Sequence, residues 1–171
     1  GACHWYAISS GKKPEPRAAI AQKLLRNLKN MLKKRVIFTL LVEDGYFVLS
    51  RNFKLQKAGD LSWLKEFYDF DSIAFSIDEL VVLDVSRGER DRERFGNLLL
   101  DISKNCFMPI AAGGGVRSAA DVELLLKCGA DKIVVNTALF ERPELISELV
   151  ARYGAQCIVG SIDYKISEGG E

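Results

Sequence analysis

From position 35 to position 165, short β-branched and aromatic runs alternate with stretches whose apolar residues recur at helical spacing. This alternation restricts the fold more than any other feature of the chain. RVIFTLLV (35–42) has the composition of a buried strand, and YFVLSRNF (46–53) follows it across the turn EDG. DLSWLKEFYDF (60–70) opens on Asp60 as a helix N-cap and sets Leu61, Leu64, Phe67 and Tyr68 on one stripe. DELVVLDV (78–85) is the next strand, and RERFGNLLLDIS (92–103) supplies Phe95, Leu98, Leu99 and Ile102 at helical spacing. The pattern continues with MPIAAGG (108–114) as a strand, a helix from Ser118 that ends at Cys128 and Gly129, and KIVVNT (132–137) as a strand. PELISELVARYG (143–154) is a helix with proline in its first turn and glycine at its end, and QCIVGSIDYK (156–165) is a last strand. Strict β–α alternation implies parallel strands joined by right-handed crossovers, in a doubly wound open sheet or a (β/α)8 barrel. Both architectures collect ligands at the carboxyl ends of the strands.

Composition excludes several functions. Among 171 residues, 24 Lys or Arg face 23 Asp or Glu, and that balance gives no global case for nucleic-acid binding. Cys3, Cys106, Cys128 and Cys157 form no CxxC pair and His4 is the single histidine, so neither a zinc site nor a disulfide framework is expected. Such cysteine usage fits a reducing cytoplasm. No apolar run approaches the roughly 20 residues that span a bilayer, and the first residues lack the plan of a signal peptide. Residues 1–30 differ from the rest. RAAIAQKLLRNLKN (17–30) places Ile20, Leu24 and Leu28 on one helical face, and nine Lys or Arg but one acid lie between Lys12 and Arg35. A helix packed by one stripe with its charges in water is the expected form.

The run PIAAGGGVRS (109–118) ends a strand in three consecutive glycines. Ordering three glycines is entropically costly, so bare backbone must be needed there. With Ser118 as an N-cap candidate just beyond, the cluster offers backbone N–H groups and a helix dipole to one point, which favours a phosphate. A tight strand-to-helix turn without a ligand is the plainer reading of the same residues. At the next junction NTALF (136–140) puts Asn136 and Thr137 at the end of the following strand. Two adjacent strand ends of this chemistry favour a phosphorylated small molecule.

MLKKRVIF, IDELVVLDV, PIAAGGGVRS, GADKIVVNTALF and YGAQCIVGSIDYK, in this order and spacing, resemble the cyclase-subunit family of imidazole glycerol phosphate synthase. The resemblance covers residues 31 to about 165. It implies an incomplete (β/α)8 TIM barrel in residues 31–171, holding about the first five strands and four helices, preceded by an extension with an extra helix in residues 1–30. It also implies a glutaminase partner whose ammonia splits a phosphorylated substrate in histidine biosynthesis, with no cofactor or metal. By the same resemblance Gly114, Gly115, Asn136 and Thr137 hold a substrate phosphate and Asp163 is one member of an acid–base pair. Arg35, Glu79 and Lys132 match a charged ring through which ammonia enters the barrel's base; read without the resemblance, Glu79 and Lys132 form an ordinary surface ion pair. Asp84 closes its strand as the family's aspartate does, and is equally a helix-cap candidate.

The chain departs from that family at two positions. Leu41 stands where the family has its other catalytic aspartate, and Leu49 where it has a lysine, so whether the chain is itself an enzyme stays open. A paralogous group, which passes ammonia to an enzyme amidating acetamido sugars of surface polysaccharides, is similar at TLLV and at the stretch Cys106-Phe107-Met108-Pro109. A non-catalytic half-barrel that docks a glutaminase is a further alternative. Met31 coincides with the family's usual start, and five strands fall short of eight. An incomplete or rearranged reading frame, or a half-barrel pairing with another copy, is therefore expected. Open strand edges then favour self-association unless the basic helix covers them.

Overall fold

The computed structural model describes residues 34–52, 54–68 and 76–163. The basic helix of the extension lies outside these residues, as do Phe53, Tyr164 and Lys165 at the ends of two expected strands. The elements are β1 (Ile37–Glu43), β2 (Tyr46–Arg51), β3 (Lys54–Gly59), α1 (Leu61–Phe67), β4 (Glu79–Asp84), α2 (Arg92–Ser103), β5 (Ile110–Gly113) and α3 (Ala119–Lys127). They continue with β6 (Lys132–Val135), α4 (Thr137–Glu141), α5 (Pro143–Tyr153), a 3₁₀ turn (Ala155–Cys157) and β7 (Ile158–Gly160). All strands join one sheet in the order β3-β2-β1-β4-β5-β6-β7.

Pairing from β1 through β4, β5 and β6 to β7 is parallel throughout. With crossover helices between successive strands, this is a partial (β/α)8 barrel wall of five strands. The strictly parallel expectation needs one correction, because β2 and β3 are antiparallel. They form a meander on the outer side of β1. Its first turn is Asp44-Gly45 with φ of 50° and 77°, the paired positive values that a tight two-residue hairpin demands. Asp44 N donates to Ser86 Oγ at 2.9 Å and ties that turn to the segment after β4. The last expected strand is also corrected. Gly154, at φ 86°, and the 3₁₀ turn use up residues through Cys157, so β7 is three residues long and Asp163 lies in coil beyond it.

Each parallel strand is apolar on both faces, as strands covered on both sides must be. One face sends Leu40, Val42, Leu80, Val82, Ile110, Ala112, Ile133 and Val135 into the main core, where they meet Leu99 and Ile102 of α2, Val122 and Leu125 of α3, and Leu145 and Leu149 of α5. The other face, the inside of the barrel wall, packs Val81, Ala111 and Val134 with Ile37, Leu83 and Val159 around them. The opposite ends of that inner face carry the polar chemistry. Among the described residues no helix is long and apolar enough to cross a membrane.

Candidate functional site

The carboxyl ends of β4, β5, β6 and β7 surround a cavity of about 300 Å³, and Gly114, Gly115, Asn136 and Thr137 all line it. Each glycine has a packing reason as well. A Cβ on Gly113 would strike the Val134 carbonyl, and one on Gly114, at φ 113°, would strike the backbone of Asp84. One on Gly115, at φ 60°, would lie 2.6 Å from the Arg90 guanidinium. Bare backbone is thus required by neighbouring strands and by the cavity together.

The turn is held from both sides. Arg92 Nη1 donates to the Gly114 carbonyl at 2.7 Å, and Nη2 donates to the Gly115 carbonyl. On the other side Ser118 caps α3 reciprocally: its hydroxyl accepts from Asp121 N at 3.2 Å, and the Asp121 carboxylate accepts from Ser118 N and Arg117 N at 2.9 Å. Asp84 is 4% exposed, accepts from Ser86 N at 2.9 Å, and faces Arg90 Nε at 3.6 Å and Arg92 Nη1 at 4.0 Å. It does not cap the following helix, because Asp91 does so by accepting from Arg94 N at 2.9 Å.

Asn136 follows β6 directly. Its side chain makes no cap bond to α4, and its Nδ2 instead donates to Asp163 Oδ2 at 3.0 Å. The candidate acid–base residue and one candidate phosphate residue are therefore in contact, although 27 positions separate them. Thr137 opens α4 and is exposed.

At the opposite strand ends Glu79, 5% exposed, bridges two cations. Arg35 Nη2 lies 2.7 Å from its Oε2 and Lys132 Nζ lies 2.8 Å from its Oε1. Glu79 and Lys132 begin β4 and β6, which flank β5, and Arg35 just precedes β1 on the other side of β4, so Glu79 reaches a cation on either side; a buried bridging carboxylate is a different object from a surface ion pair. A second cavity of about 480 Å³ runs from this cluster along Ile37, Val81, Ala111 and Val159. Between the two ends Leu41 is half-buried and pairs with Leu83 in the β1–β4 register. Leu49, on β2, is 55% exposed.

Residues 35–170 match the family model described as histidine biosynthesis protein. The chain belongs to that family. It is 50% identical over 139 residues to a protein provisionally named imidazole glycerol phosphate synthase subunit hisF2 from Parasynechococcus marenigrum (strain WH8102), covering 81% of this chain and 52% of that protein. Imidazole glycerol phosphate synthase subunits HisF from Mycobacteroides abscessus and Corynebacterium diphtheriae are 44% and 45% identical, each over 80% of this chain and 52% of the relative. The chain thus spans about half the length of the curated relatives it matches.

In this histidine biosynthesis family member, Gly114, Gly115, Asn136, Thr137 and Asp163 come together at one end of the sheet, and Arg35, Glu79 and Lys132 at the other. Sequence reading missed Arg90, Arg117 and Arg142, which also line the upper cavity. Arg90 sits in RGERDRER, a charge run that reads as a solvated helix start, and nothing local shows which of its arginines turns inward. Among the described residues no three His, Cys, Asp or Glu side chains cluster as metal ligands would.

Proposed function

We propose that this chain is a cyclase-like component of an imidazole glycerol phosphate synthase system, binding a phosphorylated substrate and receiving ammonia from a glutaminase partner. The convergence of Gly114, Gly115, Asn136 and Thr137 on one cavity carries this reading. Backbone N–H groups of the glycine turn attract an oxyanion, and the arginines of the rim add charge. Asp163, exposed and 3.0 Å from the Asn136 amide, is placed to move a proton on a substrate anchored beside it, with Asn136 orienting the carboxylate. The Arg35–Glu79–Lys132 cluster and the apolar inner face above it suit passage of neutral ammonia, since an ammonium ion would lose its hydration there without a partner.

Leu41 beside Leu83 favours a second reading, in which ammonia crosses the barrel wall without being used in cyclisation and serves the amidation of a sugar. Phosphate binding is common to both readings and is tested first. Calorimetric titration of the full chain with glycerol 3-phosphate is expected to show binding that Asn136→Asp weakens more than about tenfold, by setting a like charge against the anion. Equal affinity in the two proteins would refute the site.

A further inference from the structure

We infer that Arg90 is a direct anion ligand of the upper cavity, a role that the family resemblance does not assign; the inference rests on reading that cavity as a phosphate site. The arginines around the cavity differ in what they already hold. Arg92 has both terminal nitrogens on the carbonyls of Gly114 and Gly115, so its fork is spent on the turn. Arg142 donates through Nη1 to the Arg117 carbonyl at 2.7 Å and meets Glu144 at 3.4 Å, while Arg117 is exposed to water. Arg90 alone of the four combines desolvation with an uncommitted donor. Its side chain is 23% exposed, and its Nε is buried without a hydrogen-bond partner among the described residues. The facing oxygen, Asp84 Oδ2 at 3.6 Å, is beyond hydrogen-bond reach, while the other oxygen of that carboxylate accepts from Ser86 N.

Nε is sealed off on the Asp84 side, so an anion in the cavity that Arg90 lines meets the terminal nitrogens of the fork, of which Nη1 lies nearest Gly115. The guanidinium lies against the Gly115 backbone, where a Cβ would come within 2.6 Å of it. The bare glycine therefore leaves Arg90 the room to face the same anion that the turn's N–H groups face. A planar fork binds phosphate bidentately and a lysine does so as a point charge, so the position separates Arg from Lys.

The test uses the full chain and glycerol 3-phosphate in three proteins: wild type, Arg90→Gln and Arg90→Lys, with Asn136→Asp as control. Arg90→Gln is expected to weaken binding about ten- to a hundredfold and to flatten the dependence of affinity on KCl, and Arg90→Lys to recover part of both. A fold defect does not change salt dependence in this graded way. In a second measurement on wild type, saturating glycerol 3-phosphate should protect Arg90, but not the remote Arg152, from an arginine-directed dicarbonyl reagent, as read by peptide mass spectrometry. If Asn136→Asp abolishes binding while Arg90→Gln binds as wild type, or if Arg90 is labelled equally with and without ligand, the Arg90 inference is overturned and the site stands. If no variant changes binding and no arginine is protected, the phosphate site itself falls.

Discussion

Three cysteines illustrate how single residues answer to their surroundings. Burial is the main cause that pushes the thiols of Cys106, Cys128 and Cys157 above their ordinary value of 9.0; at Cys106 the Met108 backbone works against it, and the Asp131 carboxylate adds to it for Cys106 and Cys157. Sγ of Cys157 donates to the Asp131 carbonyl at 3.7 Å, and Sγ of Cys106 to that of Met108 at 3.6 Å. Folding thus favours the protonated thiol. Its contribution is whole below the unfolded value near 9.0 and is lost as pH rises through the higher native value. Melting temperatures measured from about pH 7 to 10.5 should fall more steeply at the alkaline end for wild type than for a variant carrying Cys106→Ala and Cys157→Ala. Parallel curves would contradict this. Residue chemistry was legible in the sequence where backbone freedom betrayed it, as at Gly114 and Gly115. Arg90 was hidden because its role depends on Asp84 and Gly115, which come from other elements.

Among the elements, α3 shows the strongest local specification. Ser118 and Asp121 close a reciprocal cap on its first turn, and the same carboxylate fixes Arg117 N at the exit of the glycine turn. Ser118→Ala is expected to cost about 1 kcal/mol in urea unfolding and to weaken phosphate binding with it, because the cap and the turn share Asp121. A loss of stability with full affinity would separate the two roles. The starts of α3 and α5 were readable from Ser118 and Pro143, whereas α2 was read from its apolar spacing alone, its cap Asp91 being hidden in a charge run. The strand β3, KLQKAG, was not readable, since its charged edge residues carry no apolar alternation and it is held by pairing with β2. Nor was α4, whose five residues begin at an Asn136 that gives its amide to Asp163 instead of capping.

At the scale of the molecule, the five parallel strands of the described residues separate a bridged glutamate at one end from an arginine-rimmed cavity at the other, so any traffic along the inner face has a direction. The half-buried Leu41 on that face cannot move a proton. With ammonium supplied, the full chain is expected to form imidazole glycerol phosphate at a rate about 10² to 10⁴ below one with both carboxylates. Turnover typical of the HisF relatives, and insensitive to Asp163→Asn, would overturn this. The hairpin beside β1 has a consequence for how such a wall becomes a cylinder. It occupies Leu41, Val42 and Glu43, at the carboxyl end of the strand. From Ile37 to Leu40 the same edge is not paired with β2. Among the described residues the hairpin therefore claims only the carboxyl half of that edge, and a strand closing a barrel there would compete with it for none of the Ile37–Leu40 amides.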